Sequence, residues 1–229
     1  MSNKNNVVEM FDDIAPVYDK INRRLSFRTD VGWRRKLRKA VSRLPHDKII
    51  DISSGTGDLA IELAKLKPQQ LVAADPAAKM LEIATIKFKK LHIEAETSVC
   101  YAEKLPFESD SFDLATCSFG IRNFASLEKG LAEIKRILNN GGHAAILEFG
   151  MPQGFFWSNL YRFYFNRILP LRGKRLSQHQ SAYTYLNRTV NQFPYGKEME
   201  AILSMTGFSI VKTRKLSGGI AWMYVVRKS

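Results

Sequence analysis

The stretch Lys48–Leu59, KIIDISSGTGDL, constrains the fold of this chain more than any other. Ile49, Ile50 and Ile52 form a short apolar run that reads as a buried strand and ends in Ser53-Ser54-Gly55-Thr56-Gly57. From about Asp58 the pattern becomes helical, with Leu59, Ile61, Leu63 and Ala64 as its apolar positions. Strand, glycine turn and helix start form the context in which nucleotide-like ligands are held. Gly55 and Gly57 let the backbone turn tightly and approach a ligand, because no Cβ intervenes. Unpaired N–H groups at the helix start are expected to favour an electron-rich ligand group.

The turn does not suit a phosphate. No Lys-Ser/Thr follows the glycines, which excludes a Walker loop, and the third glycine of a dinucleotide fingerprint is missing. Asp51 before the turn and Asp58 after it repel a pyrophosphate and suit a cationic, amine-bearing ligand. A second apolar run, Leu71-Val72-Ala73-Ala74, ends at Asp75. That acid lies about twenty residues past the turn, where a carboxylate accepts hydrogen bonds from both ribose hydroxyls. Ribose and amine without phosphate imply S-adenosylmethionine, with Asp51, Gly55, Gly57 and Asp75 as candidate contacts.

The rest of the chain reads as one α/β domain of 229 residues, long enough to bury a full core. Four parts are expected: an N-terminal helical segment (1–45), a cofactor-binding core (46–150), a cap insertion (151–195), and a final helix with a hairpin (196–229). A first helix is expected from Val7 through Met10, Phe11 and Ile14, breaking at Pro16. Tyr18–Trp33 fits neither a clean helix nor a clean strand. A basic helix over Asp30–Arg43 carries Trp33, Leu37, Val41 and Leu44 on one side. Arg34, Arg35, Lys36, Arg38 and Lys39 fall elsewhere and are assigned to a solvated face.

Strands over 48–53, 70–75, 96–101, 112–118 and 143–149 alternate with helices over 57–66, 77–91 and 126–138, and Asn140-Gly141-Gly142 reads as a turn. This alternation indicates βαβ units in a mostly parallel, doubly wound sheet whose ligands bind beyond the strand carboxyl ends. Residues 150–193 break it. Phe155, Phe156, Trp157, Tyr161, Phe163, Tyr164 and Phe165 crowd among Arg162, Arg167, Arg172, Lys174 and Arg175. They are expected to form an aromatic helical cap that makes an apolar pocket and turns a basic face to a membrane. A helix over Lys197–Thr206 leads through Gly207 to two apolar runs, Phe208–Thr213 and Ile220–Val226. With Gly218-Gly219 between them they read as a closing hairpin, so one strand of seven is antiparallel.

The net charge of +13, 35 basic against 22 acidic residues, would attract nucleic acid, an anionic membrane or an acidic substrate alike. No run of eighteen apolar residues occurs, and MSNKNNVVEMF has no hydrophobic signal core, so a cytoplasmic location is expected. Cys100 and Cys117 lack metal-ligand spacing and read as buried structural thiols; no metal is expected.

The Asp-x-x-x-Gly-x-Gly turn, the acid-ended second strand and the seven-stranded Rossmann-like sheet resemble class I S-adenosylmethionine-dependent methyltransferases. Tyr18-Asp19-x-Ile21-Asn22-x-x-Leu25-Ser26 with Trp33, and Arg136-Ile137-Leu138-x-x-Gly141-Gly142 running to Glu148-Phe149, are similar to two signatures of one family. It is the ubiquinone/menaquinone biosynthesis C-methyltransferase family. SGTGDL at Ser54–Leu59, AEKLPF at Ala102–Phe107 and SFGIRN at Ser118–Asn123 lie between the signatures and extend the likeness over nearly the whole chain. The departures include Ile21 for Met, Asp30 for His, Asn139-Asn140 for Lys-Pro, and Tyr101 for a small or polar residue.

The resemblance implies that Thr56, Asp75, Tyr101, Ala102 and Ser118 contact S-adenosylmethionine, with Gly55 and Gly57 shaping the turn. It implies methyl transfer to a ring carbon of a polyprenylated quinol, demethylmenaquinol to menaquinol or the corresponding benzoquinol step. Arg122 in SFGIRN would steady the oxyanion, and water linked to Arg122, Asp19, Tyr18 or His179 would take the proton. Peripheral contact with the anionic inner face of the cytoplasmic membrane follows from such a substrate; the oligomeric state stays open, a homo-oligomer included. A nucleic-acid methyltransferase is the rival that the charge favours. The Asn/Asp-Pro-Pro-aromatic motif of amine methylation is absent at SFGIRN, and neither cysteine follows a proline as cytosine C5 chemistry needs. Nucleic acid is therefore not the expected partner.

Overall fold

β1 (Lys48–Ile52) is buried at every residue after the first, as a central strand covered on both faces must be. In the computed structural model, which describes residues 4–152 and 180–229, it pairs in parallel with β2 (Gln70–Asp75) and β4 (Phe112–Ser118). β3 (Glu96–Val99) lies outside β2, and β5 (Leu138–Phe149) lies beside β4. β7 (Ala221–Lys228) runs antiparallel to both β5 and β6 (Phe208–Leu216), so it is the single reversed strand. The order β3-β2-β1-β4-β5-β7-β6 changes direction between β1 and β4, which opens a crevice beyond their carboxyl ends.

Alternating residues of the strands feed two cores. Ile49, Leu71, Ala73 and Leu114 pack with Leu59 and Leu63 of α3 (Asp58–Leu63), with Leu81 and Phe88 of α4 (Ala78–Lys90), and with Trp33, Leu37 and Val41 of α2 (Thr29–Val41). Ile50, Ile52, Val72, Ala74 and Phe112 face the other way. They meet Leu131, Ile134 and Ile137 of α5 (Leu127–Ile137) and Met199 and Leu203 of a later helix, Lys197–Met205. Each fully buried aliphatic side chain contributes about 1.5–3 kcal/mol, and the period of two in the strands decides which core it joins.

The amino-terminal helices depart from the expected pattern. α1 (Lys4–Leu25) runs unbroken through Pro16 and includes Tyr18–Leu25. An interior proline costs a helix about 3 kcal/mol. Here tertiary contacts offset it: Ile14 and Ala15 pack on Ala77 and Met80, and Asp12 accepts the Lys79 N–H at 2.9 Å. A tight corner at Ser26–Arg28, left-handed at Phe27 and Arg28 (φ 50° and 62°), leads into α2.

Three smaller departures follow from the sheet. β3 stops at Val99, so Tyr101 and Ala102 leave it as loop. β5 begins at Leu138 and absorbs Asn140–Gly142, with a register shift opposite Phe112–Leu114. Cys117 is buried as expected, but Cys100 is only half-buried. The expected cap ends in α6 (Gln180–Gln192), and α7 (Lys197–Met205) is the expected final helix. The aromatic and basic stretch Phe155–Arg175, and His179, lie outside the described residues. No helix among the described residues is long and apolar enough to cross a membrane.

Candidate active site

The crevice at the ends of β1, β2 and β4 is a cavity of about 550 Å³, within the range of small-molecule sites. Gly55, Thr56, Asp75, Tyr101, Ala102 and Ser118 all share its wall. Ser53 and Phe119, the residues at or just past the ends of β1 and β4, are left-handed (φ 52° and 59°). A Cβ on Gly120 would stand 2.3 Å from the Ser53 Cβ, so the two strand ends are pressed together there. Non-glycine residues held this way cost on the order of 1–3 kcal/mol each, and such strain gathers at functional sites.

Asp75 is fixed before any ligand arrives. Its two oxygens accept the Gly55 and Ala77 N–H groups, both at 2.8 Å. Burial pushes its carboxyl up to about 6 against those hydrogen bonds. Asp51, by contrast, does not reach the cavity. It sits under the turn, taking the Thr116 hydroxyl at 2.7 Å and the Ser54 hydroxyl at 2.9 Å, and burial raises it to about 6 as well. These bonds brace the turn from below. Gly57 also lies behind the wall, where a Cβ would meet the Phe88 ring at 2.8 Å.

Two expectations about the turn need correction. Its N–H groups are largely committed: Ser54 donates to the Ala74 carbonyl, Gly57 to the Ser54 carbonyl and Gly55 to Asp75. Asp58, expected to face a ligand cation, is already held by Lys87 at 2.5 Å and Arg23 at 3.1 Å. Burial would raise its carboxyl, but Arg34, Lys87 and Arg23 together hold it below the ordinary value. Asp19 belongs to the same network, accepting the Thr56 hydroxyl at 2.6 Å and Lys87 at 2.9 Å, and it lines neither cavity. These bonds tie α1, the turn and α4 together.

A pH dependence follows from Asp75. Ribose hydroxyls donate to the carboxylate, so binding favours the deprotonated form, and affinity should rise as pH climbs from 5 to 7 and then level off. Calorimetric titrations across that range should show it, and Asp75→Asn should remove it while Asp51→Asn keeps it. A flat profile in the unaltered protein would rule out Asp75 as the ribose acceptor.

A second cavity of about 300 Å³ adjoins the first, lined largely by apolar residues such as Met10, Ile14, Ile21, Leu25 and Trp33. Six side chains belong to both walls: Phe11, Tyr18, Arg34, Phe119, Arg122 and Tyr185. Arg122 comes from the short 3-10 turn after β4, its side chain 6 % exposed, and its partner is Glu148 on β5 at 2.9 Å, 2 % exposed. It also donates to the Phe119 carbonyl and packs 5.4 Å over the Phe149 ring. The Phe149 ring packs at a tilt on Phe119 with centroids 4.4 Å apart, and Arg34 lies 5.4 Å over Phe119 from α2. Two guanidinium groups thus stand on an aromatic pair where the cavities meet. Both Nε atoms are buried without a partner. Burial raises the Tyr18 phenol, against the pull of Arg122 and Arg34.

Arg34 is the residue the sequence reading misplaced. It is buried, not solvated, and bonds Asp30 at 2.6 Å, four residues earlier on the same helix. That Asp-x-x-x-Arg spacing was the available signal. Tyr185, whose hydroxyl donates to Asn123 at 3.1 Å, had none.

Comparison with known proteins agrees with this geometry. A model of the ubiE/COQ5 methyltransferase family matches residues 1–228. The chain belongs to this family. The demethylmenaquinone methyltransferase of Bacteroides fragilis is 39% identical over 97% of this chain and 92% of its own length. The ubiquinone/menaquinone biosynthesis C-methyltransferase UbiE of Geotalea uraniireducens is 42% identical, over 97% and 96%. Among solved structures, an S-adenosylmethionine-dependent methyltransferase from Thermotoga maritima superposes with a TM-score of 0.63 at 20% identity, covering 96% of this chain and 99% of that one. One from Aquifex aeolicus gives 0.57 at 16%, covering 82% and 86%.

As a ubiE/COQ5 family member the chain is an S-adenosylmethionine-dependent C-methyltransferase with the class I fold. The first cavity fits that cofactor: a carboxylate held fixed at Asp75, a glycine turn without phosphate chemistry, and two guanidinium groups on its wall.

Proposed function

We propose that this enzyme methylates a ring carbon of a polyprenylated quinol, converting demethylmenaquinol to menaquinol. The observation that carries the reading is the apolar cavity whose wall is shared with the cofactor cleft through Arg122, Arg34, Tyr18 and Phe119. The two relatives described above, named for demethylmenaquinone and for ubiquinone/menaquinone biosynthesis, support it.

S-adenosylmethionine, when bound, supplies the methyl group on a positively charged sulfur. A quinol ring carbon is a poor nucleophile until the neighbouring hydroxyl loses its proton. Arg122 then steadies the oxyanion, and the apolar walls hold the ring against the cleft and keep water out, so positioning and electrostatics do most of the work. Arg122 itself is no base, since a guanidinium stays charged. Tyr18, its phenol raised by burial, keeps its proton at neutral pH and serves as a donor. Asp19 is spent on Thr56 and Lys87. Of the groups named from the sequence, water or His179, the latter outside the described residues, stays in the proposal as proton acceptor. Overall a ring hydrogen is exchanged for methyl, one proton is released and a neutral thioether remains.

Lipid extracts of cells lacking the gene test the reading. An accumulated demethylated naphthoquinone supports it, an accumulated benzoquinone precursor moves the substrate to the ubiquinone branch, and an unchanged quinone pool sinks it.

The substrate dissolves in a bilayer, so contact with an anionic membrane face belongs to this proposal. Phe27 lines the apolar cavity yet is 67 % exposed, beside the exposed Arg24 and Arg28. The protein should sediment with anionic liposomes at low salt and detach as ionic strength rises. Arg172, Lys174 and Arg175, at roughly 1 kcal/mol each near such a surface, should weaken binding when changed together to Gln. Methylation of a short-chain, water-soluble quinol should survive that change. Indifference of the unaltered protein to anionic liposomes would refute the docking surface.

A further inference from the structure

Arg34 is more elaborate than its ion pair requires. A lysine would satisfy Asp30, but Arg34 also directs an Nε–H away from that carboxylate, and this donor is buried without a partner. Its side chain is 10 % exposed and lies on the wall shared by both cavities, 4.0 Å from Asp58. A guanidinium this buried is costly to keep, and its place on the cavity wall points to an anion that meets it from the cavity side.

The proposed reaction brings two anions to this junction, the α-carboxylate of S-adenosylmethionine and the oxyanion of the quinol. Arg122 serves the second. For the first, the glycine turn is poorly equipped: the N–H groups of Ser54, Gly55 and Gly57 are spent inside the protein, and Asp75 repels a carboxylate. Arg188, the remaining arginine at this cleft among the described residues, is exposed and packs on Tyr185. We propose that the Arg34 guanidinium, through the part that lines the cavity, binds the α-carboxylate of S-adenosylmethionine, anchoring the methionyl end beside the shared wall. This rests on the cofactor reading of the cleft but not on the identity of the methyl acceptor.

The test is calorimetric titration of the full chain, without quinol, using S-adenosylmethionine and its decarboxylated form, which keeps adenosine, sulfonium and amine. The unaltered protein should prefer the carboxylate form by tenfold or more. Arg34→Gln should abolish that preference by weakening S-adenosylmethionine alone, and Arg34→Lys should restore part of it. Because Arg34→Gln strands the buried Asp30, Asp30→Asn/Arg34→Gln is titrated beside it, with the same loss expected. Equal weakening for both ligands would make Arg34 a structural residue and overturn the proposal. So would a preference that survives the substitution while turnover of a short-chain quinol falls and its pH–rate profile shifts, since the anion would then be the quinol's. If neither ligand binds the unaltered protein, the cofactor reading itself fails; if both bind and the preference holds, it stands whatever the acceptor proves to be.

Discussion

Replacing Arg122 by alanine should lower turnover of a short-chain quinol by about a hundredfold or more, with the affinity for S-adenosylmethionine little changed. The expectation comes from a buried guanidinium at the wall between the cavities. The same substitution leaves Glu148, 2 % exposed, without its cation, and an uncompensated buried charge costs about 3–5 kcal/mol. Arg122→Gln/Glu148→Gln removes both charges and separates catalysis from folding. Single-turnover rates and cofactor titrations on both variants decide the matter. If the double variant regains turnover, Arg122 matters only as the partner of Glu148. Arg122→Lys should rescue in part, because the charge returns without the planar fork.

Asp75→Ala should weaken S-adenosylmethionine by roughly 2–3 kcal/mol, on the order of thirty- to a hundred-and-fifty-fold, through two lost ribose hydrogen bonds. It also strips the Gly55 and Ala77 N–H groups of their acceptor, so some of the loss comes from a loosened turn. Asp75→Asn keeps one carbonyl oxygen for those donors and should fall between. Titration of the three proteins side by side checks the order, and equal affinities would exclude Asp75 from ribose recognition.

The alternation of strands and helices and the cofactor turn were legible because they are written in local chemistry. β1, β2 and β4 are buried on both faces, so their apolar runs are continuous, and the glycines and terminal acids punctuate them. What escaped was set by contacts across the chain. Pro16 announces a break, and only the packing of Ile14 and Ala15 on α4 keeps α1 whole. Arg34 sits in a run of basic residues and looks like its neighbours until Asp30 and Phe119 enclose it. Asp51 and Asp58 carry the charge expected beside a cationic ligand, yet Thr116 and Ser54 occupy one, and Lys87 and Arg23 the other. Sequence supplies an acid's position but not its creditors.

Six side chains serve two cavities at once, so a shift in any of them on filling one cavity changes the free energy of filling the other. Linkage makes that coupling mutual: the factor by which one ligand tightens its neighbour is the factor by which the neighbour tightens it. Methyl transfer changes the terms on both sides of the partition. The sulfur gives up a positive charge as the ring gains a methyl group, so the pair that leaves is coupled differently from the pair that entered. The wall therefore couples release of the two products as well as binding of the two substrates.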